Sequence, residues 1–344
     1  MDTHKIEFMN RAFELAQLGL GHVSPNPMVG CVIVHDNQII GEGWHKKYGD
    51  AHAEVNAINS VQDKSLLHQS TAYVTLEPCA HHGKTPPCAD LLIKHRLKKV
   101  VIANHDPFHL VNGGGVKRLK ATPIEVETDL LKEKGREINK RYFTSIEKRR
   151  PYIILKWAQT ADGFIARVNF DSKWISNEYS RKLVHKWRAE EDAIFVGTNT
   201  AKYDNPSLNV RDWKGKNPLR LVVDKQLKLS PTHHLFDGSI QTICYNAIKD
   251  QESENLLFKK IDDQNLIEEV LSDLQRRKIQ SLIIEGGSEL IKSFIEKDLW
   301  DETRIFTSQK TFGSGILAPN IIKNKISELD IKGDKLSFFR NTHS

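Results

Sequence analysis

The feature that most constrains this chain is a set of three side chains in its first third that can bind a metal. His52 is followed two residues later by Glu54, and Cys79 and Cys88 flank a polar loop that contains histidine and proline. A histidine and two cysteines can provide three ligands to zinc and leave a fourth position open for water. Two cysteines around such a loop are poor core material. The combined pattern therefore predicts one zinc ion per chain, bound by His52, Cys79 and Cys88.

The segments around these ligands place them at the ends of helices and strands. A helix is predicted to begin at His52, with Asp50 as its cap. A strand over residues 71–76 leads to the first cysteine of the pair, and Pro86-Pro87-Cys88 opens another helix. Glu54 then lies in the first turn of its helix, where a carboxylate can move protons without binding the metal.

Two further histidines and the other two cysteines must also be assigned. His81 and His82 lie between the two cysteines of the loop and stay open as alternative ligands. Cys31 and Cys244 lie in apolar runs and are predicted to be buried core residues.

The chain shows neither an apolar signal core at its start nor an apolar run near the roughly 18 residues of a membrane helix. We expect a cytoplasmic protein without a membrane partner, in which cysteines serve metal binding or catalysis rather than disulfides.

Length and pattern predict two domains of the α/β class. A chain of 344 residues is long for one core. Strands alternate with helices in both halves, which is typical of a layered sheet. A charged helix is predicted over residues 130–146, and the basic run that follows it, up to Pro151, is interpreted as a linker. The predicted domains are residues 1–147 and 148–344. The formal net charge of +6 comes from dispersed basic residues and does not distinguish nucleic acid from a phosphorylated small molecule.

In the second half, a glycine pair lies between a predicted strand and a predicted helix. The strand covers residues 281–284, Glu285-Gly286-Gly287 follows it, and the helix begins at Ser288. Glycines at such a turn let backbone N–H groups approach a phosphate. No Gly-x-Gly-x-x-Gly is present, which argues against a standard Rossmann dinucleotide site.

The motifs of the first half resemble the deaminase half of the bacterial bifunctional riboflavin biosynthesis deaminase/reductase family. The matching segments are Asn26-Pro27-Met28-Val29-Gly30, His45, His52-Ala53-Glu54, Thr75-Leu76-Glu77-Pro78-Cys79 and His82-Gly83-Lys84-Thr85-Pro86-Pro87-Cys88. His-x-Glu followed by Pro-Cys is a general signature of zinc nucleobase deaminases. The eight residues between Cys79 and Cys88 separate this chain from cytidine, guanine and tRNA adenosine deaminases.

This resemblance implies a cytidine-deaminase-like three-layer α/β/α domain. It also implies that Glu54 is the catalytic residue that transfers protons and that Asn26, His45 and Asp106 contact the substrate. The family usually continues Asp-Pro-Asn-Pro from the last of these residues, whereas this chain reads Asp-Pro-Phe-His. Contacts from this loop are therefore expected only from Asp106.

The motifs of the second half resemble the reductase half of the same family, which has a dihydrofolate-reductase-like α/β fold and uses NADPH. The matching segments are Lys156-Trp157-Ala158, Asp162-Gly163, Ser172-Lys173-Trp174-Ile175, Arg188, the run from Thr200 to Leu208, Arg211 and Glu285-Gly286-Gly287. The resemblance implies cofactor contacts from Ala158, Trp174, Thr200, Asp204, Gly287 and Ser288. It implies substrate contacts from Ser172, Arg188, Leu208, Arg211 and Glu285. Guanidinium groups suit a substrate phosphate. The sequence indicates no proton donor for the hydride step.

The resemblance thus implies a fused enzyme for two successive steps, which acts on a phosphorylated pyrimidine rather than on nucleic acid, and we expect it to form a homo-oligomer. The first half would deaminate 2,5-diamino-6-ribosylamino-4(3H)-pyrimidinone 5′-phosphate, and the second would reduce its ribosyl group to ribityl. One alternative is a zinc deaminase of tRNA or single-stranded nucleic acid with a C-terminal binding domain. Another is a zinc-stabilised binding protein, against which the open ligand position beside Glu54 argues.

Overall fold

The computed structural model describes residues 3–80, 86–108, 111–172, 175–323 and 325–342. The chain divides into two compact units, residues 1–149 and 150–344. Over the described ranges, no helix is long and apolar enough to cross a membrane.

The first unit is built on a mixed sheet of five described strands. In chain order its elements are α1 (Thr3–Gln17), β1 (Gly30–His35), β2 (Gln38–Trp44), α2 (Ala53–Ser60), a 3₁₀ helix (Lys64–Gln69), β3 (Thr71–Val74), α3 (Cys88–Lys94), β4 (Lys99–Ile102), α4 (Gly114–Lys120), β5 (Glu125–Glu127), α5 (Lys132–Ile138) and α6 (Lys140–Glu147). The strand order is β2-β1-β3-β4-β5. β1 is antiparallel to both of its neighbours, and β3, β4 and β5 are parallel.

Helices cover both faces of this sheet. Cys31 and Ile33 of β1 pack into a core with residues of α2, α3 and α4. Val32 and Val34 point to the opposite face and pack with α1. Side chains alternate between the two faces of a strand, so a strand buried on both faces is apolar throughout. The three-layer α/β/α arrangement predicted from the sequence is confirmed.

Two local predictions in this unit are wrong. The predicted helix over residues 130–146 is two helices, α5 and α6, and Asn139 lies between them. Asn139 is buried, and its side chain bonds to the backbone of Met28, which explains why a polar residue interrupts the helical pattern. Asp50 does not cap α2, because the N-cap is His52, which makes no capping hydrogen bond with its side chain.

The second unit contains a sheet of ten described strands. Its elements are β6 (Tyr152–Gln159), β7 (Phe164–Ala166), α7 (Glu178–Glu190), β8 (Ala193–Val196), α8 (Thr198–Asp204), β9 (Leu219–Val223), a 3₁₀ helix (His234–Phe236), β10 (Thr242–Asn246), β11 (Gln251–Ser253), β12 (Leu256–Lys260), α9 (Leu266–Arg276), β13 (Ser281–Glu285), α10 (Ser288–Glu296), β14 (Glu302–Thr307), β15 (Ile316–Leu317), β16 (Lys325–Ile331) and β17 (Asp334–Arg340). The strand order is β11-β12-β10-β9-β8-β13-β6-β14-β17-β16, and β7 pairs separately with β15.

The strands from β12 to β14 in this order are parallel, and the outer strands β11, β17 and β16 are antiparallel to their neighbours. Helices α9 and α10 cover one face of the parallel strands. Helix α8 packs on the other face over β8, β9 and β10, and α7 packs there over β6 and β13. In open parallel sheets, ligands bind outside the carboxyl ends of the strands, which is where Glu285 and Gly197 lie.

Candidate active sites

The three predicted zinc ligands lie side by side in the first unit. His52 is the N-cap of α2, Cys79 follows β3, and Cys88 is the first residue of α3. The Nδ1 atom of His52 is 3.6 Å from Cys79 Sγ and 3.3 Å from Cys88 Sγ, and the three ligand atoms all lie within 4.8 Å of one another. In tetrahedral zinc sites, bond lengths of about 2.3 Å to sulfur and 2.0 Å to nitrogen separate these ligands by about 3.6 Å. The residues therefore fit zinc.

The hydrogen bonds among these ligands favour a thiolate. Hydrogen bonding from the Cys88 side chain, together with His52, lowers the pKa of the Cys79 thiol to about 4 despite its burial. The backbone N–H of Cys88 also donates to Cys79 Sγ over 3.2 Å. Because the thiolate is the form that binds metal, this arrangement prepares Cys79 as a ligand.

Glu54 is buried next to these residues, in the first turn of α2. Burial raises the pKa of its carboxyl group, as does the neighbouring Cys79. A buried carboxyl group with a raised pKa can both accept and return a proton near neutral pH. The Glu54 carboxylate does not belong to the cluster of three ligand atoms. His81 and His82, the alternative ligands, lie outside the described residues.

Two predicted substrate-binding residues lie together beside the ligand His52. The ring of His45 is 5.5 Å from that of His52, edge-on, and its Nδ1 bonds to the carbonyl oxygen of Ala51 over 3.2 Å. Because a carbonyl only accepts, His45 Nδ1 carries the proton, and Nε2 accepts from Asn26 Nδ2 over 3.1 Å. Burial lowers the pKa of His45. His45 is therefore a neutral imidazole, and its hydrogen bond with Asn26 fixes the side-chain amide of that residue.

The third predicted substrate-binding residue, Asp106, is buried in the loop after β4. Its Oδ1 accepts from the Tyr142 hydroxyl over 2.7 Å and from the Phe108 backbone N–H over 2.9 Å. Its own N–H donates to Glu77 Oε2 over 3.3 Å. The structure thus ties Asp106 to the segment that leads from β3 to Cys79.

One residue that supports the site was not predicted. The side chain of Asn139 accepts from the N–H of Met28 and donates to its carbonyl oxygen, both over 2.8 Å. These bonds hold the loop that carries Asn26. The two partners are 111 residues apart, so no local pattern indicates the contact.

In the second unit, a cavity of about 950 Å³ lies at the ends of the parallel strands. Every predicted reductase residue within the described ranges lines it. These are Ala158, Thr200, Asp204, Gly287 and Ser288 for the cofactor, and Ser172, Arg188, Leu208, Arg211 and Glu285 for the substrate. Trp174 lies outside the described residues.

A buried ion network forms one wall of this cavity. Arg188 donates to Glu285 twice, from Nη2 over 2.8 Å and from Nε over 3.3 Å. Lys156 Nζ is 3.8 Å from the same carboxylate. Burial alone would raise the pKa of Glu285, but the charges of Arg188 and Lys156 hold it at about 2. Burial lowers the pKa of Lys156, which the sequence singled out only as part of a motif.

The glycine turn and α8 form another wall, with features that fit NADPH. Gly286 and Gly287 have φ values of +82° and +79° between β13 and α10. A Cβ atom at Gly286 would lie 3.0 Å from Thr200 Oγ1, so a larger residue would crowd this wall. Asp204 accepts from Ser172 Oγ over 2.9 Å. Backbone N–H groups at a helix start suit phosphate groups.

Comparisons with known proteins find matches for both halves of the chain. Residues 2–104 match the family described as cytidine and deoxycytidylate deaminase zinc-binding region, and residues 151–332 match the RibD C-terminal domain. The riboflavin biosynthesis protein RibD of Actinobacillus pleuropneumoniae is 40% identical over 319 residues, which cover 90% of this chain and 84% of that protein. RibD of Escherichia coli is 33% identical over 326 residues, covering 89% and 88%.

Among solved structures, this chain is similar to a diaminohydroxyphosphoribosylaminopyrimidine deaminase/5-amino-6-(5-phosphoribosylamino)uracil reductase from Thermotoga maritima. The TM-score is 0.90 at 36% identity, and the match covers 98% of this chain and 99% of that one. RibD of Acinetobacter baumannii gives a TM-score of 0.89 at 32% identity, covering 99% of each chain. The predicted fold class is confirmed, and the nucleic-acid alternative has no support. The chain belongs to the RibD family and is a bifunctional enzyme of riboflavin biosynthesis, with a zinc-dependent deaminase half and an NADPH-dependent reductase half.

Proposed function

We propose that the deaminase half acts on 2,5-diamino-6-ribosylamino-4(3H)-pyrimidinone 5′-phosphate and releases ammonia, with Glu54 as the proton carrier. Zinc held by His52, Cys79 and Cys88 would activate the attacking water as a Lewis acid. Glu54 takes a proton from that water and delivers it to the departing amino group. The observation that supports this role is the burial of Glu54 beside three residues that fit zinc.

The neutral imidazole of His45 and the side chain of Asn26 hold the pyrimidine ring in this proposal. Asn26 donates to His45 through Nδ2, which leaves its Oδ1 as an acceptor for a ring N–H or an amino group. Asp106 also contacts the substrate in this proposal, and the hydrogen bonds that its Oδ1 accepts from Tyr142 and Phe108 fix its side chain.

The reductase half opens the ribose ring in the second step. Bound NADPH would supply a hydride to C1′, and the bond from C1′ to the ring oxygen would break. Lys156 donates a proton to that oxygen, so the products are a ribityl hydroxyl and a C1′ methylene. The location of Lys156 in the cavity wall, with a pKa lowered by burial, supports this role. The carboxylate of Glu285 favours the ammonium form that donates.

Arg188 and Arg211, the two cavity arginines predicted to bind the substrate, have different tasks. Arg188 is engaged by the buried carboxylate of Glu285. Arg211 is half exposed, its Nη1 donates to Asn209 Oδ1 over 3.1 Å, and its Nε lies 3.8 Å from the half-exposed carboxylate of Asp212. Arg211 therefore binds the substrate phosphate, and Arg188 orients the carboxylate of Glu285 toward the substrate.

A two-stage assay tests the proposal. The zinc-loaded enzyme is supplied with the pyrimidine substrate, and ammonia release is followed before NADPH is added and its absorbance recorded. Both signals are expected, in that order. Ammonia release without NADPH consumption would refute the reductase assignment, and NADPH consumption without ammonia release would refute the deaminase assignment.

We further propose that the enzyme is a cytoplasmic homo-oligomer. The edge strand β16 exposes Ile326 and Leu329, and Ile322 nearby in sequence is also exposed. An exposed apolar edge strand is prone to pair with another chain. The four free cysteines suit a reducing compartment. Light scattering would measure the mass of the wild type and of Leu329→Lys, and a monomeric wild type would contradict the proposal.

A further inference from the structure

Glu77 is a buried carboxylate that the proposed reaction does not use. It lies two residues before the zinc ligand Cys79, and its side chain has no solvent-accessible area. Its backbone N–H donates to the carbonyl oxygen of Asn104, which follows β4, over 2.9 Å. A buried carboxylate is costly unless hydrogen bonds satisfy it, so its partners indicate why it is there.

The described partners of the Glu77 carboxylate all belong to one segment, residues 105–116. Oε1 of Glu77 accepts from the N–H of Val116 over 3.0 Å. Oε2 accepts from the N–H of Gly113 over 3.1 Å and from that of Asp106 over 3.3 Å, and His105 Nδ1 lies 3.4 Å away. One side chain thereby fixes both the start of this segment, with its proposed substrate contact, and the start of α4.

The first turn of α4 also packs directly on the backbone before Cys79. A Cβ atom at Gly115 would overlap the carbonyl oxygen of Pro78. On the other side, the carbonyl oxygen of Cys79 accepts from the N–H of Ala89 in α3, over 3.1 Å. The backbone of this ligand is therefore held between two helices, and Glu77 bonds one of them to it.

We propose that Glu77 is a positioning residue for deamination, which holds the Cys79 ligand and the Asp106 segment in one rigid frame. The inference rests on the proposed deaminase function, because that function requires the pyrimidine and the zinc to keep a fixed separation. Small misplacements at a reacting centre reduce rates strongly, since orientation contributes much of the catalytic effect. Glu77 touches neither the metal nor the substrate in this proposal.

Glu77→Gln tests the proposal, since an amide has a single acceptor oxygen and its NH₂ group would face a backbone N–H. Three quantities are measured: kcat and KM for ammonia release, and the rate of zinc transfer to a chromogenic chelator. We expect kcat to fall and KM to rise by about tenfold each, and zinc transfer to accelerate by about 10- to 100-fold, as for other residues that support metal ligands. Reductase activity on the deaminated substrate should equal that of the wild type.

Asp90→Asn is the matched control, because it removes a carboxylate that bonds Arg118 of α4 at an exposed position. It should leave all three quantities unchanged. If Glu77→Gln changes only the thermal midpoint while kcat, KM and zinc transfer stay at wild-type values, Glu77 has a structural role alone and the proposal is refuted.

A second variant keeps the inference testable, and a measurement on the wild type separates it from the proposed function. Should Glu77→Gln not fold, Glu77→Asp keeps both oxygens on a shorter side chain, and wild-type values for all three quantities in that variant refute the positioning role. A wild type that binds zinc without releasing ammonia would refute the proposed deamination, while faster zinc transfer in Glu77→Gln would still support the link between Glu77 and Cys79.

Discussion

The two sites of this enzyme assemble their functional groups in different ways. The zinc ligands all lie between residues 52 and 88, at the starts of two helices and after one strand. The reductase cavity draws its wall from β6, α7, α8 and the turn after β13, and an ion network joins β6, α7 and the end of β13. The first site depends on a few coordinating atoms, whereas the second depends on charges that must balance one another across the cavity.

This difference predicts that the sites fail independently and for different reasons. The residues of the deaminase site lie within the first unit of the chain, and those of the reductase cavity lie within the second. Loss of a proton carrier or a ligand should abolish deamination alone, whereas loss of one charge in the cavity should alter pH dependence and stability as well as reduction.

The largest expected effect is that of Glu54→Gln. The variant keeps the shape of the side chain but cannot carry the proton, so deamination should fall by about 10²- to 10⁴-fold. Zinc content, measured by metal analysis, should stay at one ion per chain, and reduction of the deaminated substrate should be unchanged. Substantial residual ammonia release would remove Glu54 from its proposed role.

Arg188→Met should have the next largest effect. It leaves Glu285 buried with Lys156 as its remaining described cationic neighbour, and breaking a buried ion pair costs about 3–5 kcal/mol. We expect lower stability of the second unit in denaturant unfolding, and loss of reduction with normal deamination. Arg276→Met is the control, because that arginine is exposed and Asp273 retains other partners. Equal stability of the two variants would contradict the role of the ion network.

The pH profile of reduction gives a smaller, directional test. Lys156 must be an ammonium ion to donate a proton, so the rate should fall as pH rises through its pKa. Burial lowers this pKa, and the fall should therefore occur below the usual lysine range. The charge of Glu285 raises the pKa of Lys156, so Glu285→Gln should move the fall to still lower pH.

Glu268→Gln is the control for this profile. Glu268 also lines the cavity but pairs with Lys297 at a half-exposed position. The fall in rate should stay at the wild-type pH in this variant. An identical profile for Glu285→Gln and the wild type would exclude Lys156 as the donor.

The smallest effect is expected for Cys244→Ala. This cysteine is buried in the second unit among residues of the α8 core, and removal of its sulfur should cost about 1 kcal/mol. Zinc content and both activities should be unchanged, whereas Cys88→Ala should lose zinc and deamination. Loss of zinc from Cys244→Ala would overturn the division of the cysteines into ligands and core residues.

The sequence was sufficient for the parts of the molecule that local chemistry determines. His52, Glu54, Cys79 and Cys88 form dense motifs, and the structure brings the three ligands within bonding range of one ion. Apolar runs predicted the sheet strands, since strands covered by helices on both faces must be apolar throughout.

Sequence patterns did not predict the contacts between segments that lie far apart in the chain. The role proposed for Lys156 depends on the pairing of β6 with β13, where Glu285 is its direct neighbour, although the two residues lie far apart in the chain. Glu77 stood in a recognised motif, but its partners come from a loop in which this chain departs from the family pattern. The break at Asn139 follows from a contact with Met28 that helical periodicity does not record.

The two hydrogen bonds between the Asn139 side chain and the Met28 backbone have a consequence for protein synthesis. Chains emerge from the ribosome N-terminus first, and domains fold as units. The residues that fit zinc are all available once Cys88 has emerged, but the loop with Asn26 is not secured until Asn139 follows. A nascent chain that ends between these two points has all three residues that fit zinc but lacks the side chain that secures the loop of Asn26.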